Sequence, residues 1–242
     1  MHTVHSNTRI ADLVIARPAA SRILESFHID YCCGGARTLG EACDDLGLDV
    51  ARVAQEVESV AEAAGDSECA GVEALSAARL VEHLVSVHHA RLRRDLPRIV
   101  ALADKTLAAH GARHHDLRRL SEVARHLWIE LDSHLAKEEA VLFPAIVDLD
   151  HSGSTGLCGG DISHPLAVME TEHEEAGHAL AELRALSNDF APPADACATW
   201  HALASGLAEF TIELHRHIHE ENNLLHPMVR ALATRMVPRR ER

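Results

Sequence analysis

The chain states one phrase twice: HLAKEEAVLFP from His134 to Pro144, and HIHEENNLLHP from His217 to Pro227. In each copy a glutamate follows the histidine by four residues (Glu138, Glu221) and a proline follows it by ten. Four residues on an α-helix make about one turn and about 6 Å of rise, so each imidazole and its carboxylate project from one face. Two further histidines stand at matched distances upstream, His89 45 residues before His134 and His173 44 before His217. A helical hairpin used twice, each copy giving one lone histidine and one His-x-x-x-Glu pair, would converge four imidazoles and two carboxylates in a bundle core.

The surrounding sequence supports such a bundle. From Ser76 onward apolar residues recur at helical spacing and no alternating strand pattern occurs. Four helical segments are predicted, at 76–109, 114–148, 163–188 and 194–236, broken at His110-Gly111, by the Gly/Ser-rich stretch 151–160 and by Asn188 to Pro193. Four helices of this length in antiparallel order make a four-helix bundle. Shorter helical patterns precede it: Ile10 to Arg17, Pro18 to Phe27 with proline at a helix start, Leu39 to Leu46, and Val50 to Ala64. The turn-forming run Gly65 to Gly71 reads as a linker. The predicted organisation is therefore a small helical N-terminal domain, 1–66, and a bundle domain, 72–242.

Composition excludes some functions. The 242 residues hold 37 acidic and 23 Lys/Arg side chains, a net charge of −14, which argues against a nucleic-acid binder. No apolar run approaches the roughly 20 residues of a membrane helix. The first residues lack the basic and apolar regions of a signal peptide, so a cytoplasmic location is expected. Six cysteines are too sparse for a disulfide scaffold. The adjacent pair Cys32 and Cys33 cannot bridge without strain, because neighbouring α-carbons are about 3.8 Å apart and a relaxed disulfide needs about 4.4–6.8 Å. Followed by Gly34-Gly35, they read as two thiols presented on a turn, reactive or metal-touching, or else as two small buried residues.

Twenty histidines are too many for an ordinary chain. The His/Glu grouping suits a metal pair: a carboxylate has two oxygens and bridges two cations about 3.5–4 Å apart. Two histidines per metal, with no thiolate, favour iron, with manganese or zinc as substitutes, and leave positions open for oxo, water or a diatomic ligand. Buried glutamates are costly unless cations compensate them.

Together, Asp30-Tyr-Cys-Cys-Gly-Gly35, HLAKEEAVLFP, VMETEHEEAG from Val168 to Gly177, PPADACATW from Pro192 to Trp200, and HIHEENNLLHP resemble the repair-of-iron-centres proteins. These are di-iron iron–sulfur cluster repair proteins, and the resemblance spans nearly the whole chain. It implies an all-α fold, a hemerythrin-like up-down four-helix bundle with a small N-terminal helical domain. It implies a non-haem di-iron centre, oxo- or hydroxo-bridged, held by His89, His134, His173 and His217 with Glu138 and Glu221 as bridges. His89 is taken over His88 because it lies eight residues before Pro97, as the family pattern requires. Cys32 and Cys33 correspond to the family's paired cysteines. The implied protein is cytoplasmic, often a homodimer, and restores iron–sulfur proteins damaged by nitric oxide or oxidants. Nitric oxide or dioxygen is the small ligand, and nitric oxide scavenging or reduction at the iron pair are the alternative activities.

Glu130, one turn before His134, and Glu172, beside His173, are candidates for supporting the ligands. His226 stands where Phe143 stands in the first copy; nine residues from His217, it is out of phase for a ligand. His178 is five residues from His173, with Gly177 where an oxygen-carrying hemerythrin has another histidine, so a more open centre is expected. His83 lies on the wrong face relative to His89, and His110 is an outside possibility only. The stretch 151–161, with Cys158, reads as a flexible insertion or, second, as the carrier of a third reactive thiol.

Overall fold

A computed structural model describes residues 4–60, 71–157 and 161–236. Residues 61–64 of the expected fourth helix, most of the expected linker, and Cys158 lie outside the described residues. Among the described residues the chain is helical without strands, apart from one isolated bridge between Arg9 and Thr38. The helices are α1 Ile10–Ala16, α2 Ala20–Ser26, α3 Leu39–Leu46, α4 Val50–Val60, α5 Ala77–His83, α6 Ala90–His110, α7 Asp116–Lys137, α8 Phe143–Ser152, α9 Ser163–Leu186, α10 Ala198–Glu220 and α11 His226–Met236. None is long and apolar enough to cross a membrane.

Three of the long predicted segments are not uniform helices. A π-helical turn joins α5 to α6 (Leu84–His89), another joins α7 to α8 (Glu138–Leu142), and a third joins α10 to α11 (Glu221–Leu225). Proline accounts for two of them. Pro144 and Pro227 have no N–H to give to the carbonyl four residues back, so the preceding turn widens. The N–H of Phe143 then reaches the Glu138 carbonyl, and that of His226 the Glu221 carbonyl, each five residues back.

The chain forms two compact units, residues 81–214 and residues 1–80 together with 215–242. In the first, cross-helix pairs fix an up-down order. Ser121 and Arg125 on α7 reach Asp104 on α6 at 2.6 and 2.7 Å, while Arg93 near the other end of α6 reaches Glu139 at 2.5 Å. Arg119 pairs with Glu182 on α9 at 2.6 Å, and His134 with Glu172 at 2.8 Å, again with opposed numbering. His110 leans on Trp200 of α10 at 5.1 Å between ring centres, and His88 bonds Glu213 at 2.8 Å. Within this frame Leu92, Leu96, Ile99 and Ala103 are buried at helical spacing, each buried leucine contributing about 1.5–3 kcal/mol. The break expected at Asn188 is a left-handed run in which Asn188, Asp189 and Phe190 all have positive φ.

In the second unit, α1 to α4 bury Ile10, Leu24, Leu39, Val53 and Val57 around Tyr31. α3 starts with a capping box: Thr38 Oγ1 accepts the Glu41 N–H at 3.2 Å, and Glu41 accepts the Thr38 N–H at 2.8 Å. It ends at Gly47, whose φ of 65° suits glycine. The sequence reading placed all of 72–242 in the bundle. In the structure 215–242 groups with the N-terminal helices, because His215, His219 and Asn223 bond to Glu25, Tyr31 and Cys32.

Candidate metal centre

In the 81–214 unit, His134 occupies the last turn of α7 and Glu138 opens the π-helical turn after it. This places His134 Nε2 3.2 Å from Glu138 Oε1. His173 comes from mid-α9, its Nε2 3.1 Å from His134 Nε2. His89, last residue of its own π-helical turn, sets Nε2 3.4 Å from the other Glu138 oxygen, Oε2. The two oxygens of one carboxylate thus address two different imidazoles, the arrangement a bridging ligand needs. Glu138 is 0% exposed, and neither oxygen has a hydrogen-bond partner. A buried carboxylate without hydrogen bonds is costly, and imidazole nitrogens aimed at it and at each other make a donor set that fits a cation. The chemistry of this set suits the mixed nitrogen and oxygen coordination of iron, manganese or zinc.

In the other unit the second phrase has the same local geometry. His217 ends α10 as His134 ends α7, Glu221 opens the π-helical turn as Glu138 does, and Nε2 lies 3.1 Å from Oε1. Both residues are 0% exposed.

The far sides of two ligand candidates are held in the same manner. His89 Nδ1 donates to Glu139 at 2.8 Å, and Glu139 takes Arg93. His134 Nδ1 donates to Glu172 at 2.8 Å, and Glu172 takes Lys137. Burial works against ionisation of both carboxyls, yet hydrogen bonds from Arg93 and His89, and from Lys137 and His134, outweigh it and hold them below their ordinary values. Each carboxylate fixes the proton on Nδ1 and turns the Nε2 lone pair toward the centre. Phe143 stacks on the His89 ring at 5.4 Å.

Glu172 stands where the sequence reading put a supporting carboxylate, although it serves His134 on the neighbouring helix. Glu130 does not: its side chain is 62% exposed and lies 3.9 Å from His126. A glutamate one turn back on the same helix cannot reach the Nδ1 edge that Glu172 occupies. Sequence reasoning missed Glu139. Its only signal is the Glu138-Glu139 doublet, which the second copy replaces with Glu221-Asn222. His88 turns to Glu213, which also takes Arg91, away from its neighbour's partners. His226 is fully buried.

The paired cysteines sit on a turn organised by Asp30. Its carboxylate accepts the N–H groups of Cys32, Cys33 and Gly34 at 2.9, 3.0 and 2.9 Å, and the Cys32 thiol at 3.1 Å. The sulfurs are 3.8 Å apart as free thiols, Cys32 buried and Cys33 half-buried. The Cys33 contact, burial and Asp30 push the Cys32 thiol well above its ordinary value, so it stays protonated. The turn hangs on the helix of the second phrase: His219 donates to the Tyr31 carbonyl and Asn223 to the Cys32 carbonyl, both at 3.1 Å. These residues lie two positions from His217 and Glu221, on the opposite helix face. Gly35 must be glycine here, because a Cβ would come within 2.8 Å of Asn223 Oδ1 and the Tyr31 carbonyl.

The family pattern of the Hemerythrin HHE cation binding domain matches residues 80–229, and that of a domain of unknown function, DUF542, matches residues 6–61. The chain is 34% identical over 221 residues to a "Probable iron-sulfur cluster repair protein" of Haemophilus influenzae, covering 91% of this chain and 96% of that one. It is 34% identical over 223 residues to the "Iron-sulfur cluster repair protein YtfE" of Yersinia pseudotuberculosis (92% and 96% covered). To the protein of that name in an Enterobacter species it is 35% identical over 224 residues (93% and 96%).

Proposed function

Because the chain belongs to the iron–sulfur cluster repair family with a hemerythrin HHE cation-binding domain, we propose that it repairs iron–sulfur clusters damaged by nitric oxide or oxidants in the cytoplasm. The proposed cofactor is a di-iron centre, held by His89, His134, His173 and His217 and bridged by Glu138 and Glu221. The observation that carries this reading is Glu138, buried without hydrogen bonds and with each oxygen facing a different imidazole. The duplicated phrase extends the argument to Glu221.

The iron pair, when bound, supplies redox-active coordination positions for a small diatomic ligand. The chain's own residues do the rest. Glu139 and Glu172 accept hydrogen bonds from Nδ1 of His89 and His134 and so orient both Nε2 atoms toward the centre. Phe143 covers the His89 ring and keeps water from that side. The Cys33 contact, burial and Asp30 keep Cys32 a protonated thiol, and the half-buried Cys33 beside it is the thiol proposed to meet a damaged iron–sulfur protein.

The test is the metal content and ultraviolet–visible spectrum of anaerobically purified protein, alongside Glu138→Leu and Glu221→Leu. Two irons per wild-type chain, both lost in each variant, are expected, together with recovery of a nitric-oxide-damaged iron–sulfur enzyme under reducing conditions. Unchanged metal in the variants would remove the bridged site, and full metal without recovery would remove the repair activity.

A further inference from the structure

The turn that carries the paired cysteines holds more donors than a turn needs. Asp30 alone shapes it, its carboxylate accepting the N–H groups of Cys32, Cys33 and Gly34 at 2.9, 3.0 and 2.9 Å. Neither thiol is required for that frame, and the half-buried Cys33 adds little to a core. Yet the two sulfurs lie 3.8 Å apart, and Asp30 Oδ1 stands 3.1 Å from Cys32 Sγ. Both sulfurs and a carboxylate oxygen fall within 4.8 Å of one another. A tetrahedral cation bonded to two thiolates at about 2.3 Å sets their sulfurs about 3.8 Å apart. The observed spacing is the bite of such a cation, whereas a disulfide between chain neighbours is strained. The frame is also fixed before any cation arrives. His219 and Asn223 hold the carbonyls of Tyr31 and Cys32, both at 3.1 Å. A Cβ on Gly34 would come within 2.9 Å of the Asp30 carbonyl, so the turn packs closely on its own backbone. Cys32 is 3% exposed, while Asp30 is exposed and Cys33 half-buried, which leaves the group one side open to solvent.

We propose that Asp30, Cys32 and Cys33 bind one tetrahedral divalent cation of the zinc or ferrous-iron type, through both sulfurs and Asp30 Oδ1. Two S–H bonds break and two sulfur–metal bonds form as both protons leave to solvent, and no electron is transferred. One of those protons is the one that Cys32 gives to Asp30, and the cation takes its place. The Cys33 contact, burial and Asp30 all favour the protonated Cys32 thiol. Only a cation with strong thiolate bonds displaces that proton, which discriminates against magnesium and calcium. The carboxylate oxygen in the set disfavours monovalent copper. Three protein donors leave the fourth position open to water or to an incoming thiol. The cation site stands on the geometry of the turn and is independent of both the His/Glu centre and the repair activity, so either can fail while the other holds.

The probe is cobalt(II), titrated anaerobically into reduced full-length protein, wild type beside Cys32→Ser, Cys33→Ser and Asp30→Asn. The His/Glu centre offers no thiolate, so sulfur-to-cobalt charge transfer in the near ultraviolet reports the cysteines alone. Expected in wild type are that band, the intense visible bands of tetrahedral cobalt, and bleaching of the charge-transfer band by zinc, which binds such donors more tightly. Each serine variant, with its helical circular dichroism intact, should lose the charge-transfer band at cobalt concentrations that saturate wild type. Asp30→Asn, which still accepts the backbone N–H groups, should weaken cobalt binding by about 10-fold or more. A wild-type titration without a charge-transfer band would overturn the proposal whatever the variants do. So would a band retained in either serine variant, unchanged affinity in Asp30→Asn, or a cobalt-dependent dimer in which the cation bridges two chains.

Discussion

Glu139 and Glu172 are the residues whose loss should be felt without any ligand being touched. Each accepts the Nδ1 proton of one histidine and is itself held by a surface cation, Arg93 or Lys137. Glu139→Gln and Glu172→Gln keep the size but remove the charge that orients the ring. Each should weaken metal binding about 10- to 100-fold, as loss of such supporting carboxylates does elsewhere. Competition with a chromophoric chelator would measure this, and unchanged affinity in both would show that packing alone orients the rings. At this scale the pairings of His134 with Glu138 and of His217 with Glu221 were readable in the sequence, because His-x-x-x-Glu is a within-helix relation set by helix geometry. Glu139 was not, because its partner His89 lies 50 residues away and the second copy has no equivalent.

Helix starts and stops were also readable wherever local chemistry decides them. Thr38-x-x-Glu41 announces α3 and forms the reciprocal bonds expected of it. Hydrogen bonds from the Thr38 backbone and hydroxyl hold the Glu41 carboxyl below its ordinary value. A carboxyl depressed in this way contributes stability above its unfolded-chain value, and the contribution is lost as pH falls through the folded value. Thr38→Ala should cost about 1 kcal/mol near neutrality, and the gap to wild type should narrow in acid as Glu41 protonates. Urea midpoints at pH 7 and at about pH 3 would check it, an unchanged gap counting against the box. The π-helical turns were not anticipated. Apolar periodicity averages over several turns and does not register one extra residue in a single turn, although Pro144 and Pro227 were in view as the cause of two of them.

For the whole molecule, metal and stability are linked. A cation that binds the folded chain alone, present at a hundredfold over its dissociation constant, adds about 2.7 kcal/mol. For a chain of this size that is about 5–10 °C in Tm. Chelated protein should melt lower by that interval and recover on adding ferrous iron anaerobically, followed by circular dichroism; equal melting would mean that the buried carboxylates need no cation. The grouping of 215–242 with the N-terminal helices was invisible to composition and periodicity. It depends on hydrogen bonds from His219 and Asn223 to two carbonyls nearly 200 residues earlier, and on the bare backbone of Gly35 that admits Asn223. The three widened turns have a consequence for heredity. Each holds one residue more than the α-helical turn it replaces, which is what a one-codon insertion into a plain helix would leave behind. A relative one residue shorter between His134 and Pro144 would keep its bundle and rotate the intervening side chains by about 100°. Chain length across these phrases is therefore inherited information about the site, and a gap there should separate metal-bearing relatives from bare ones even where every histidine is retained.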